Sequence, residues 1–188
     1  MPRSLPSSRL RSASVLGIAA ATVLAGASAA HAQEGRIKLF GHGRSLIAGA
    51  SWFTPSDATT RSIYGSGFGP ALGLWSFDTH AGLGVSFDLG AHRLTQDTRR
   101  AESIQAGLGP RWQFTDASAA VAPYLTVRGD AYVVRLDRTD WRTKPGANVE
   151  LGASVLRHVV LSGRYDFVPK IDGVDVSGFS ARAAVKIF

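Results

Sequence analysis

Residues 81–94, AGLGVSFDLGAHRL, alternate between apolar and polar side chains without interruption. Leu83 and Val85 belong to one parity, and Ser86 and Asp88 belong to the other. A period of two predicts a β-strand with one apolar and one polar face. In a soluble sheet the polar face meets water, whereas in a barrel embedded in lipid the apolar face lies outside. The orientation of these two faces therefore decides what the chain can fold into.

The same alternation recurs along the chain, and long and short connections alternate between the predicted strands. Short turns on one side and longer loops on the other are typical of transmembrane barrels. After residue 33 there is no apolar run long enough for a membrane-spanning helix. The pattern predicts an all-β, eight-stranded antiparallel up-and-down transmembrane β-barrel, with strands at residues 44–53, 68–77, 81–93, 103–114, 120–135, 147–156, 159–168 and 177–188.

Three features favour an outward apolar face. Strands of about ten residues suit a tilted crossing of the hydrocarbon layer. The apolar face is rich in alanine, which fills a soluble core poorly. The polar face is rich in glycine, which leaves room for larger side chains inside a narrow barrel. Charges on this inward face must then pair or be hydrogen-bonded. The predicted luminal charge network comprises Asp88, Arg111, Arg128, Asp130, Glu150, Arg164, Asp166, Arg182 and Lys186.

Aromatic residues lie near the predicted strand ends, as in the aromatic girdles of membrane barrels. We expect one girdle beside the short turns and a second beside the long loops. The predicted members are Trp75, Phe77, Trp112 and Phe114 on the first side and Trp52, Phe53, Phe68, Phe167 and Phe179 on the second.

The N-terminus has the three regions of a secretory signal peptide. Basic residues precede an apolar run at residues 13–29, and the small-residue motif Ala30-His31-Ala32 follows. We expect residues 1–32 to be removed by cleavage after Ala32, which leaves residues 33–188 as the barrel. The remaining chain then has 18 basic and 14 acidic residues. Such a mild charge gives no support for nucleic-acid binding.

From Gly43 to Phe188 the pattern resembles the small eight-stranded outer-membrane barrels of Gram-negative bacteria, and the terminal segment AAVKIF ends in an aromatic residue. The resemblance implies a monomer in the outer membrane, surrounded by lipid and lipopolysaccharide. In that family a C-terminal Phe is read by the barrel-assembly machinery, so the resemblance implies the same partner for Phe188. One departure is that Val185 and Ile187, rather than Phe188, have the apolar parity.

Catalytic and metal-binding patterns are poorly represented. Lipid A deacylases, which are barrels of this size, imply a His and a Ser two residues apart on one strand. Here His158 and Ser162 are four apart, and His42 and Ser45 have opposite parities. The chain has no cysteine, which argues against a structural zinc site. We expect neither an enzyme nor a bound metal or cofactor.

Basic residues and one tryptophan concentrate in the second and third predicted long loops. Arginine suits bidentate contacts with phosphate, so outward loops of this kind could contact lipopolysaccharide. The alternative is a solvated loop in which Asp137 and Asp140 pair with the arginines. The candidate contact residues are Arg99, Arg100, Arg138, Trp141, Arg142 and Lys144.

These observations predict a barrel with a filled polar interior and a structural or surface-interaction role. A wide general porin is disfavoured, because aqueous channels need about sixteen strands. Two alternatives stay open. A lipid-modifying outer-membrane enzyme would bring a His, a Ser and a carboxylate together on the outer wall. A soluble periplasmic ligand-binding β-barrel would be released from cells without detergent.

Overall fold

The computed structural model describes residues 44–76, 81–137 and 139–187, which form one closed antiparallel barrel in the strand order of the chain. It confirms the predicted eight-stranded up-and-down architecture. The predicted signal peptide, residues 1–32, lies outside the described residues. The strands are β1 Arg44–Pro55, β2 Gly67–Ser76, β3 Gly82–Gln96, β4 Arg99–Gln113, β5 Val121–Leu136, β6 Arg142–Val155, β7 Val159–Phe167 and β8 Gly178–Lys186, and the helix α1 is Ala58–Tyr64.

The barrel closes through an antiparallel pairing of β1 with β8. The register runs from Ile47 opposite Lys186 to Pro55 opposite Gly178. Each strand thus has a hydrogen-bonded neighbour on both sides, and the sheet has no open edge. Closure of this kind satisfies the backbone polar groups of strands that lie in hydrocarbon. In the part of the chain that the structure describes, no helix is long and apolar enough to cross a bilayer.

The helix α1 replaces part of the first predicted loop. Asp57 is its N-cap, and the Asp57 Oδ2 atom accepts a hydrogen bond from the backbone amide of Thr60 at 2.7 Å. Gly65 ends the helix with a φ of 68°, a left-handed conformation that glycine adopts readily. The run ATTRSIY contains several β-branched residues, so propensity alone gave no helix signal. Capping at both ends allows this short helix to form.

The prediction of long second and third loops is wrong. Strands β3 and β4 continue toward each other until only Asp97 and Thr98 separate them, and β6 begins as early as Arg142. Asp97 has a φ of 51°, as tight turns require. Polar residues such as Thr95 gave these segments the composition of a loop. Strands that extend beyond an apolar wall need no apolar face, and hydrogen bonding between β3 and β4 continues there.

The two faces of the strands differ sharply in exposure. Leu151 is 62% exposed on the outside of β6, whereas its chain neighbour Glu150 is 1% exposed inside the barrel. The same outward position is taken by Leu83 on β3 and Leu108 on β4. An apolar wall therefore surrounds a polar interior.

Two aromatic residues assigned to the girdles lie inside instead. Trp75 on β2 is buried with Tyr124, and Phe53 on β1 belongs to an apolar cluster at the end of the barrel that carries α1. Both strands have apolar residues on both faces, so the alternation did not identify their inward side. Phe77 lies outside the described residues. The other predicted girdle residues are exposed: Trp52, Phe68, Trp112, Phe114, Phe167 and Phe179.

Candidate functional site

A group of ion pairs lies in the middle of the barrel, centred on Asp88 of β3. Arg182 of β8 approaches the Asp88 carboxylate with Nη1 at 2.6 Å from Oδ2, and Arg164 of β7 places Nη1 at 3.3 Å from Oδ1. All three side chains are buried. Because β3 and β8 are not neighbours in the sheet, these contacts cross the lumen and join opposite walls.

Glu150 of β6 extends this group toward the β5 side of the lumen. Its carboxylate pairs with Arg128, and its Oε1 atom accepts a hydrogen bond from the Tyr124 hydroxyl at 2.7 Å. Arg182 lies 3.9 Å from the same oxygen. Arg128 also donates to Ser86 of β3 at 3.2 Å. One arginine, Arg182, thus contacts the carboxylates of both Asp88 and Glu150.

Asp166 and Asp130 are the remaining inward carboxylates of the predicted network. Asp166 pairs with Arg164 at 3.1 Å and accepts hydrogen bonds from the hydroxyls of Tyr132 at 2.8 Å and Ser180 at 2.9 Å. Asp130 accepts from the Asn148 amide at 2.7 Å. The donors and these two carboxylates lie on β5, β6, β7 and β8, so the carboxylates tie neighbouring parts of the wall together.

Arg111 and Lys186 lie over aromatic rings in the lumen. The Arg111 guanidinium carbon lies 3.9 Å from the centre of the Trp75 ring and 4.6 Å from that of Tyr124. The Lys186 ammonium lies 5.3 Å from the Trp75 ring centre. Cations over aromatic faces are stabilised by the ring quadrupole, and more strongly where water is excluded. The buried Trp75 ring therefore stabilises two inward cations, and this contact could not be predicted from the alternation of residues.

Glycines on the inward face make space for these side chains. A Cβ atom added at Gly107 would lie 2.0 Å from the Asp130 Oδ1 atom, and one at Gly152 would lie 2.6 Å from the Tyr124 hydroxyl. Larger residues at these positions would displace groups of the interior. The filling of the lumen thus depends on small residues opposite large ones.

The α1 end of the lumen holds a mainly apolar chamber above the ion pairs. Its cavity is about 30 Å³, and Phe53, Leu94, Tyr132 and Val134 are among its lining residues. A space of this size accommodates about one or two water molecules. It has no room for a lipid or a drug-sized ligand.

A serine and a histidine meet inside the barrel. Ser51 of β1 is hydrogen-bonded through its Oγ atom to Nε2 of His92 on β3, and both side chains are buried. The His92 ring also stacks on Phe53 with 5.3 Å between ring centres. This contact faces the lumen rather than the outer wall, so it does not form the outward His, Ser and carboxylate arrangement expected of the enzyme alternative.

The basic residues predicted to lie in outer loops are divided between several contacts. Arg99 pairs with Asp137 at 2.7 Å, which agrees with the solvated alternative, and Arg142 lies 3.8 Å from Asp172. Arg100 pairs with Glu102. Arg99, Arg100, Arg142 and Lys144 are strand residues instead of loop residues, because β4 begins at Arg99 and β6 begins at Arg142. Arg138 lies outside the described residues, as does Phe188.

Two arginines outside the candidate contact residues, Arg93 and Arg135, lie close to Arg100 and Trp141. Arg93 on β3 and Arg135 on β5 stand on either side of Glu102 of β4 in the strand register. The Arg135 Nε atom is 3.1 Å from a Glu102 oxygen, and its guanidinium carbon lies 4.7 Å from the centre of the Trp141 ring. The alternation of residues could have placed both arginines on the outer wall, because they continue the apolar, outward parity of their strands.

Among the described residues, no group of three or more His, Asp or Glu side chains is arranged to hold a metal ion.

Comparison with solved structures identifies small membrane barrels. Neisserial surface protein A matches at a TM-score of 0.58 and 20% identity, covering 77% of this chain and 94% of that chain. OprG of Pseudomonas aeruginosa has a TM-score of 0.47 and 11% identity, with 77% and 93% covered. Ail of Yersinia pestis has a TM-score of 0.47 and 15% identity, with 77% and 97% covered.

No protein-family model and no curated protein sequence matches the chain. At 20% identity, the likeness to neisserial surface protein A concerns the fold. The predicted resemblance is confirmed at that level: the chain has the fold of the small eight-stranded outer-membrane β-barrels.

Proposed function

We propose that this chain is a monomeric protein of the bacterial outer membrane, with a closed, non-conducting barrel and a structural or surface-interaction role. The observation that carries the proposal is the contrast between the two faces of each strand. Leu151 is exposed and Glu150 is sealed inside, next to Arg128. A soluble protein gains no stability from exposing such a wall, whereas hydrocarbon solvates it.

The filled lumen supports the absence of a wide pore. Ion pairs between Asp88 and two arginines from the opposite wall cross the centre of the barrel. Eight strands also leave an interior that side chains fill. Under this proposal, the protein interacts with its surroundings through its outer surface rather than through a channel.

Gel mobility and conductance measurements test this proposal together. The unheated barrel in detergent is expected to migrate differently from the heated chain. Added to a planar bilayer, it is expected to give no steady channel conductance. A chain that is released from cells without detergent and stays monodisperse in plain buffer would instead support the soluble ligand-binding barrel. Stable channels of porin size would refute the closed lumen.

Several arginines and Trp141 lie at the end of the barrel that carries α1. In this proposal that end faces outward and contacts lipopolysaccharide. In this proposal Phe188 serves as the recognition residue for the barrel-assembly machinery. Deleting Phe188 would then reduce the amount of protein in the outer membrane, whereas folding in detergent would be unchanged. Equal amounts of both forms in outer-membrane fractions would contradict this role.

We propose no catalytic activity. The contact between Ser51 and His92 is the arrangement nearest to a hydrolytic pair, yet both side chains are buried under an apolar chamber of about 30 Å³. An acyl chain of a membrane lipid does not fit that space. Assay of lipid deacylation by the folded barrel tests this directly, and release of fatty acid that is lost in His92→Ala would restore the enzyme alternative.

A further inference from the structure

We propose that the outer wall carries a binding site for the phosphate of an outer-leaflet lipid, with the lipid chain in an adjoining apolar groove. This inference rests on the proposed location in the outer membrane. The site shares Arg100 and Trp141 with the contact residues considered above, and it adds Arg93 and Arg135, two outward arginines of the strands. We call it the wall cluster, and its members are Arg93, Arg100, Glu102, Arg135 and Trp141.

The wall cluster combines three guanidinium groups with one carboxylate. Glu102 pairs with Arg100 and Arg135 through different oxygen atoms. Arg93, directly opposite Glu102 in the register, has no ion-pair partner among the described residues. The cluster therefore has a formal excess of two positive charges. Each guanidinium has five N–H donors, so those that pair with Glu102 retain donors for a second anion.

The cluster lies where the apolar wall ends. On β3 the outward residues are apolar from Leu83 to Ala91, and the next is Arg93. On β5 the outward residues are apolar from Val121 to Val133, except for a glycine, and the next is Arg135. From Leu83 to Arg93 the strand rises by about 33 Å, and a tilt of about 40° reduces this to roughly the 25 Å height of a barrel's apolar band. Lipid phosphates lie at this boundary.

A groove of about 380 Å³ leads from the cluster into the apolar wall. Phe68 and Pro70 of β2 and Ile104 of β4 line its apolar part, and Arg93 and Arg135 line its charged part. The groove follows an interruption in the pairing of β2 with β3, where Gly69 and Pro70 lack register partners. Proline has no N–H to donate, which accounts for the interruption.

The chemistry of the site favours a phosphorylated lipid over a free anion. Arginine binds phosphate through paired, charge-assisted hydrogen bonds. Trp141, whose ring contacts Arg135, is the residue type enriched at membrane interfaces. Charge and groove together provide one contact for a headgroup and one for a chain. Inorganic phosphate would use only the first.

Binding of lipid A to the full barrel in detergent, measured by native mass spectrometry, tests the inference. The probes are lipid A with both phosphates, the same lipid after removal of its phosphates, and inorganic phosphate as a competitor. The variants are Arg93→Gln and Arg135→Gln. The matched control is Arg157→Gln, which removes one exposed arginine from the turn between β6 and β7 at the opposite end.

We expect each wall variant to bind phosphorylated lipid A about tenfold more weakly, as the loss of a charge-assisted contact implies. Arg157→Gln should bind as the unchanged protein does. Removal of the lipid phosphates should weaken binding similarly and abolish the difference between the variants. Because Arg93 has no ion-pair partner among the described residues, Arg93→Gln tests the site even where Arg135→Gln disturbs folding.

Three results would overturn the inference. These are unchanged binding in both wall variants, equal binding of the dephosphorylated lipid, and complete competition by millimolar inorganic phosphate. A gel-mobility test of the same preparation separates this failure from that of the proposed function. A barrel with the heat-dependent mobility shift and unaltered lipid binding would refute only the wall site.

Discussion

Gly107 of β4 lies directly against Asp130 of β5, so that an added Cβ atom would be 2.0 Å from the Asp130 Oδ1 atom. The two residues are partners in the strand register. The Asp130 carboxylate cannot simply move aside, because its other oxygen accepts the hydrogen bond from Asn148. The absence of a side chain at Gly107 is thus a packing requirement of the lumen.

We therefore expect Gly107→Ala to destabilise the barrel by about 1–3 kcal/mol, the usual cost of overpacking. The measurement is urea-induced unfolding of the barrel refolded into lipid vesicles. Gly163→Ala is the control, since an added Cβ atom at Gly163 meets nothing within 4 Å. Equal stability of the two variants would mean that Asp130 is not held as described.

Arg182→Ala should be more costly, because it leaves two buried carboxylates, those of Asp88 and Glu150, without a shared partner. Breaking a buried ion pair costs about 3–5 kcal/mol. Arg142→Ala is the matched control, since Arg142 pairs with Asp172 on the exposed surface. Exposed pairs contribute about 0–1 kcal/mol. Similar unfolding curves for both variants would argue against a buried ion pair at Arg182.

The orientation of the wall can be tested by charge insertion at Leu151. It lies near the middle of the outward apolar positions of β6, so Leu151→Arg should cost about 2–4 kcal/mol in a bilayer. Leu156→Arg introduces the same charge in the turn after β6, where the side chain is exposed beyond the strand, and should have little effect. Folding into vesicles measures both. A cost at neither position would indicate that hydrocarbon does not cover the wall.

The α1 helix should depend on pH through its N-cap. The hydrogen bond from the Thr60 amide lowers the pKa of Asp57 below its ordinary value. A carboxylate with a lowered pKa stabilises the folded form above its ordinary pKa, and this contribution is lost as pH falls through the folded value. Protection of the α1 amides from hydrogen exchange should therefore decrease below about pH 4.

At pH 7, the α1 amides of the Asp57→Ala variant should exchange hydrogen severalfold faster than those of the unchanged protein. Ser62→Ala is the control, because the Ser62 hydroxyl is exposed and donates to a helix carbonyl instead of capping amides. If α1 exchanges at the same rate with and without Asp57, packing of Tyr64 rather than the cap maintains the helix.

Sequence alone was sufficient for the fold, because a period of two over most strands permits few alternatives. On β3 the outward and inward residues were separable by parity from Leu83 to His92. On β2 they were not, since Trp75 and Leu74 are both apolar and either could face the lumen. The site residues could be grouped by face, but contacts such as Arg111 against Trp75 depend on the register between strands.

The wall cluster shows a second limit of pattern reading. Arg93 and Arg135 interrupt an apolar parity, and a strand prediction treats such residues as the end of the strand. In a membrane barrel the strand continues, and the interruption marks the border of the hydrocarbon. Thr95 and Arg99 were assigned to a loop for the same reason, although both belong to the β3–β4 hairpin.

The seam between β1 and β8 makes folding of this chain dependent on its two ends. Ile47 and Lys186 are opposite one another, so this pair forms only after nearly the whole barrel sequence has been synthesised. Until then, two strands would offer unsatisfied amides and carbonyls to lipid. Insertion into hydrocarbon and closure of the seam are consequently coupled, and a chain that lacks β1 or β8 would lose the ability to cross the bilayer rather than a single strand.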